Sequence, residues 1–159
     1  MQLPTRCRLC PRQCGANRAA GETGRCGAGG TLLVARAALH HWEEPCLSGP
    51  PDAATGSGTV FFTGCPLGCC YCQNYAISQQ GLGKAIDAAR LEEIFLELPA
   101  NGARNLNLGT ATQWLPGVLP ALLVALAGTA FLAGAVFAVT ADPPRYLLTI
   151  LLALPAFAG

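Results

Sequence analysis

Apolar and polar positions divide the chain into stretches of different period. Thr31 to Leu39 (TLLVARAAL) and Thr59 to Thr63 are short apolar runs whose β-branched and aromatic content predicts strands; Arg104 to Leu108 (RNLNL) alternates as a third. Between the last two, Asp87 predicts the cap of a helix running to about Leu98. Ala89, Leu91, Ile94, Phe95 and Leu98 fall on one side of it, and Arg90, Glu92, Glu93 and Glu97 face out. Pro99 and Asn101-Gly102 predict its end. Strand, loop, helix and strand make one βαβ unit, so its two strands are expected to be parallel with a right-handed crossover. Leu115 to Ala127 predicts a second helix with Pro116 in its first turn.

The remaining segments lack such a period. Residues 1–30 are rich in Cys, Arg, Pro and Gly, and no apolar stripe is present to hold them in shape. His40-His41-Trp42-Glu43-Glu44-Pro45-Cys46 reads as a turn closed by Pro45 with a half-buried Trp42; the functional alternative has His40, Glu43 or Cys46 lining a site. Ser48 to Gly58 (SGPPDAATGSG) reads as a loop or linker, and as the boundary between an amino-terminal module and the rest. This divides the chain into a cysteine-rich segment (1–30), a strand and linker (31–57), a βαβα stretch (58–127) and an apolar tail (128–159).

The tail admits three readings. Asn105 to Ala141 is 37 residues without a charge, and Leu115 to Val139 exceeds the ~20 apolar residues that span a bilayer. One reading places a buried parallel strand near Ala130 to Val139, which would also be apolar throughout. The second makes the run a membrane helix, followed by a partial re-entrant tail from Tyr146 to Ala158. The third is a fragment or frame-shifted product whose tail has no evolved role.

Charge changes this picture little, and cysteine changes it a great deal. Ten Lys and Arg against nine Asp and Glu leave a net charge of +1, so bulk charge argues neither for nucleic acid nor for an acidic partner. Arg6, Arg8, Arg12, Arg18 and Arg25 crowd the amino terminus, but the aromatics that stack on bases are absent there. Nine cysteines suggest a disulfide scaffold in a secreted chain. Met1 is followed by Gln, Pro and Arg rather than a signal-peptide core, which favours reduced cytoplasmic thiols used for metal.

Seven of those cysteines fall into two groups. Cys65, Cys69 and Cys72 occupy a loop opened by Gly64 directly after the Thr59 to Thr63 run, and their C-x3-C-x2-C spacing lets three thiolates converge on one soft metal. Cys7, Cys10, Cys14 and Cys26 have the spacing C-x2-C-x3-C-x11-C. Four thiolates suit either tetrahedral zinc or an iron-sulfur cluster, and a flexible arm with reduced thiols is the alternative. In parallel α/β folds ligands gather at the carboxyl ends of strands, where both the Cys65 loop and Gly109-Thr110-Ala111-Thr112 are expected.

The stretch CPLGCCYC after a strand resembles the cluster loop of the radical S-adenosylmethionine superfamily. More narrowly, CRLCPRQCGANRAAGETGRCG, HHWEEPC and GSGTVFFTGCPLGCCYCQNYAIS, in that order, resemble proteins related to the pyruvate formate-lyase activating enzyme that carry a cysteine-rich amino-terminal segment; the likeness covers about Cys7 to Leu122. The resemblance implies an α/β fold, a truncated partial (β/α) barrel preceded by a small irregular cysteine-rich module. A full eight-unit barrel takes ~250 residues, so only its start is expected here.

The resemblance further implies that Cys65, Cys69 and Cys72 hold a 4Fe-4S cluster, whose open iron chelates S-adenosylmethionine for reductive cleavage to a 5'-deoxyadenosyl radical. Tyr71 matches the aromatic expected near the adenine, and Cys70, outside the pattern, is expected to be a buried bystander. Gly109, Thr110 and Thr112 stand where the superfamily binds the cofactor, whereas Ala111 and Gln113 depart from the Thr-Pro-Thr-His of the narrower group. Implied partners are a reductant protein of flavodoxin or ferredoxin type and a glycyl-radical protein substrate, with no nucleic acid and with membrane association through the apolar stretch as an open alternative. The competing expectation is a non-catalytic iron-sulfur or zinc-binding module, an inactive radical S-adenosylmethionine fragment.

Overall fold

The computed structural model describes residues 1–50 and 54–140, with side chains as far as residue 127. The fold is α/β. Its centre is β2 (Gly56–Phe62), whose residues are buried apart from Phe61 because a strand covers each of its edges. On one side lies β1 (Leu33–His40), antiparallel, pairing Val34 with Phe62 and His40 with Ser57. On the other lies β4 (Ala103–Gly109), parallel, pairing Gly58 with Leu106 and Phe61 with Gly109. The short β3 (Lys84–Ala85) adds to the far edge of β1, so the sheet is four-stranded, mixed and open, in the order β3-β1-β2-β4.

The expected βαβ unit is present. Its helix α3 (Ala88–Ala100) starts where Asp87 accepts the Arg90 amide at 2.8 Å, and buries Leu91, Ile94, Phe95 and Leu98. These side chains meet Val34, Val60 and Phe62 of the sheet, together with Trp114, in one apolar core. Pro99 does not end the helix. It sits in the last turn, and Asn101 caps the end by donating from its side chain to the Glu97 carbonyl at 2.8 Å.

Two sequence expectations are corrected. Trp42 is 88% exposed with φ of 70°, because the turn before the short helix α1 (Pro45–Ser48) points the ring away from the core. The segment from Ala130 to Val139 is helical rather than a third strand: α4 runs from Leu115 to Thr140 in a sequence with no proline after Pro120 to stop it. The linker begins as predicted, but Gly56 to Gly58 already pair within the sheet, and residues 51–53 lie outside the described part.

Two compact units divide the chain, Met1–Ala125 and Leu126–Gly159. In the first, Val118, Ala121 and Ala125 of α4 enter the core. Over the residues whose side chains are described, which take α4 only as far as residue 127, no helix is long and apolar enough to cross a membrane. The run from Tyr146 to Ala158 lies outside them.

Core packing and capping should separate in α3. Phe95→Ala removes a fully buried ring and should cost about 3–5 kcal/mol in urea unfolding, against about 1 kcal/mol for Asp87→Ala at the cap. Equal losses would show that the helix is not held by its buried face.

Candidate metal centre

The cysteine loop leaves the carboxyl end of β2 through Gly64, which has φ of +85° and donates its amide to the Ile77 carbonyl at 3.0 Å. Only glycine suits this position. A Cβ there would lie 2.5 Å from the Cys26 carbonyl oxygen, which also accepts the Cys65 amide at 3.0 Å.

Hydroxyl groups reach two of the three predicted ligands. Thr110, just past β4, donates to Cys65 Sγ at 3.7 Å, so the adjacent ends of the parallel strands do bring the loop and the Gly109-Thr110 segment together. Ser78, in the short helix α2 (Tyr75–Ser78), donates to Cys72 Sγ at 3.4 Å. Cys65 and Cys72 are half-buried and Cys69 is exposed. Cys70 is also exposed and not buried as expected, because the loop carries it outward beside Cys69. Tyr71 is 89% exposed, and Thr112 opens a 3-10 turn (Thr112–Trp114). All nine cysteines are free thiols, and among the described residues no three His, Cys, Asp or Glu side chains are gathered closely enough to hold a metal ion as placed.

Beneath the loop is a buried polar knot that the sequence pattern did not mark. The Gln113 amide nitrogen donates to the carbonyls of Gly64 at 2.7 Å and Thr110 at 2.8 Å, with the Thr63 carbonyl at 3.3 Å. Trp114 Nε1 donates to Thr63 as well, at 2.9 Å. A single glutamine thus fixes the loop after β2 to the loop after β4. Arg18, fully buried, completes the knot: Nη1 donates to the Gln113 carbonyl, Nε donates to the Gly29 carbonyl at 3.1 Å, and the guanidinium lies 4.7 Å from the Trp114 ring centre. Arg18 Nη2 and Gln113 Oε1 are buried without a partner. Neither residue belongs to an apolar period. The only signal was Gln113 standing at a position where the resemblance expected another residue.

The amino-terminal segment therefore packs on the cysteine loop. Arg12 reinforces this, donating to the carbonyls of Pro66 at 3.1 Å and Leu67 at 3.3 Å. Within the segment, Cys7 and Cys26 are buried, Cys10 is half-buried and Cys14 is exposed. The Ala16 and Arg25 amides hydrogen-bond to the Cys14 thiol and lower its pKa from the usual thiol value. Burial raises that of Cys26, against the opposing pull of the Ala28 amide and the Arg18 charge.

The His40 to Cys46 stretch belongs elsewhere. His40 Nδ1 is 3.8 Å from Glu43, and His41 Nδ1 is 3.0 Å from the Thr55 carbonyl, beside a cleft of about 240 Å³ that His41, Trp42, Glu43 and Thr55 help to line. This cleft lies at the opposite end of β2 from Cys65, so none of these side chains joins the cysteine loop.

Comparison with protein-family models, with curated proteins and with solved structures finds no match. The functional reading accordingly rests on the motifs and their geometry.

Gln113→Leu should expose the importance of the knot. It leaves the Gly64 and Thr110 carbonyls without a donor in a dry site and should cost about 3 kcal/mol in chemical unfolding. Tyr71→Ala, at an exposed position, should change stability by less than about 0.5 kcal/mol.

Proposed function

We propose that Cys65, Cys69 and Cys72 hold a 4Fe-4S cluster and that the chain is a radical S-adenosylmethionine protein. The observation that carries this reading is three free thiols at C-x3-C-x2-C spacing on the loop after β2, one of them met by Thr110 from the end of the parallel strand β4. The donor set fits the group. Thiolates are the ligands such clusters take, and none of the three is sealed into the core.

When bound, the cluster supplies the electron and the open iron site for reductive cleavage of S-adenosylmethionine, yielding the radical that abstracts hydrogen. The protein's part is positional and electrostatic. The Thr110 and Ser78 hydroxyls donate to the Cys65 and Cys72 sulfurs and orient these two side chains. Gln113 holds the two strand ends at a constant separation, which keeps Thr110 opposite Cys65. Thr112 and the backbone after Gly109 border the same end of the sheet and are the groups proposed to meet the methionine moiety; Tyr71 is proposed to meet the adenine. The substrate class is a protein glycine, as for glycyl-radical enzyme activators. A flavodoxin- or ferredoxin-type reductant delivers the electron in a cytoplasmic setting.

A second reading is cluster binding without turnover. It draws on the openness of the four-stranded sheet and the exposure of Cys69 and Tyr71, since radical chemistry requires a site closed to water.

Reconstitution with iron and sulfide under anaerobic conditions should give a cluster whose electron paramagnetic resonance spectrum changes on adding S-adenosylmethionine, and dithionite reduction should release 5'-deoxyadenosine. A spectral response without that product would select the second reading. Retention of the response in Cys69→Ala would sink both.

A further inference from the structure

Two of the four amino-terminal cysteines lie on similar turns. Cys14-Gly15-Ala16 and Cys26-Gly27-Ala28 have the same residues, and the central glycines have nearly the same backbone, φ of +73° and +75°. In each turn the alanine amide hydrogen-bonds back to the sulfur of the cysteine two residues before it.

Backbone hydrogen bonds bring the other two cysteines to these turns. Cys7 exchanges bonds with the first: its amide donates to the Ala16 carbonyl at 3.0 Å and its carbonyl accepts the Gly15 amide at 3.0 Å. The Cys10 carbonyl accepts the amide of Gln13, the residue before Cys14, at 3.0 Å. Cys14 Sγ and Cys26 Sγ share one cradle. A Cβ built on Gly24 would stand 2.9 Å from the first and 3.8 Å from the second.

An independent observation concerns charge. Arg18 is a fully buried cation whose Nη2 lacks a partner, while the ion pairs found among the described residues belong to His40 and Arg90. A buried charge of this kind is costly unless an anion balances it. The one carboxylate of this segment, Glu22, accepts the Asn17 amide at 2.7 Å and makes no ion pair with Arg18, whereas the Arg18 charge acts on the Cys26 sulfur.

We propose that Cys7, Cys10, Cys14 and Cys26 bind a single zinc-class cation as a tetrathiolate site, with Arg18 balancing its negative charge. Each thiol gives its proton to solvent as the metal binds, and the tetrathiolate carries a net negative charge. One ion needs only the four thiolates and no inorganic sulfide. A Zn–S distance of about 2.3 Å draws tetrahedral sulfurs to about 3.8 Å apart, and the Cys14 and Cys26 sulfurs, 2.9 Å and 3.8 Å from one Cβ position at Gly24, are within reach of one ion. The exposed Cys14 and half-buried Cys10 close the site by side-chain rotation. The role of the site is structural: it rigidifies a segment without its own apolar core, and through Arg12, Arg18 and the Cys26 carbonyl it braces the loop of Cys65.

The test uses the full chain carrying Cys65→Ser, Cys69→Ser and Cys72→Ser, so that its outcome is separate from that of the cluster at those residues. After equilibration with zinc and removal of loose metal, this protein should retain a single zinc and no acid-labile sulfide. Exchange for cobalt should give the intense charge-transfer and d–d bands of a tetrahedral tetrathiolate. Adding Cys10→Ser and Cys14→Ser should abolish retention. Failure of the triply substituted chain to keep zinc, zinc kept by the chain that also lacks Cys10 and Cys14, or stoichiometric iron and sulfide in place of zinc would each overturn the proposal. Should the five-fold variant not fold, the cobalt spectrum of the triply substituted chain decides: bands of fewer than four thiolates overturn it.

Discussion

A guanidinium with no carboxylate beside it is the constraint on which the rest of the structure depends. Arg18 is buried against the Trp114 ring, donates to the Gln113 and Gly29 carbonyls, and so ties the irregular amino-terminal segment to the end of β4. Desolvating such a group is expensive, and the neutral carbonyls around it offset only part of the cost. The segment that carries it has no apolar stripe. Its placement therefore depends on polar bonds made in a dry site, where each is stronger than at the surface and each loss is more damaging.

From Arg18 the connections run directly to the proposed chemistry. Gln113 spans the loops that follow β2 and β4; the first of these carries Cys65 and the second carries Thr110. The Cys26 carbonyl accepts the Cys65 amide, and Arg12 holds the carbonyls of Pro66 and Leu67. The two cysteine groups, far apart along the chain, are joined by these hydrogen bonds. A metal bound in either would restrain the other through these contacts, without any sulfur being common to both.

The open sheet frames what such a centre can do. β1 lies antiparallel beside β2, and β3 antiparallel beside β1, on the side away from the βαβ unit. The described strands thus cover the back of the proposed site while Cys69 and Tyr71 remain in solvent. Cluster retention needs only the ligands and their immediate hydrogen bonds, whereas controlled radical chemistry also needs walls that exclude water. The first requirement is local to one loop, and the second is a property of the whole pocket.

Local pattern was enough for the helix from Asp87, its buried face, the strands around it and the position of both cysteine groups, because each depends on spacing within a few residues. The same reasoning failed for Trp42, whose ring is turned outward by left-handed backbone that hydropathy does not register, and for Ala130 to Val139, where an apolar run without alternation fits a helix and a buried strand equally well. It also passed over Arg18 and Gln113, whose partners lie far away in sequence. By itself the sequence determined which donors are available and their spacing along each loop. Only the tertiary structure decided that the loops after β2 and β4 lie side by side, that Thr110 meets Cys65, and that the amino-terminal turns pack onto the same loop, because those contacts join residues dozens of positions apart and form only when the parallel pair and the buried guanidinium are in place.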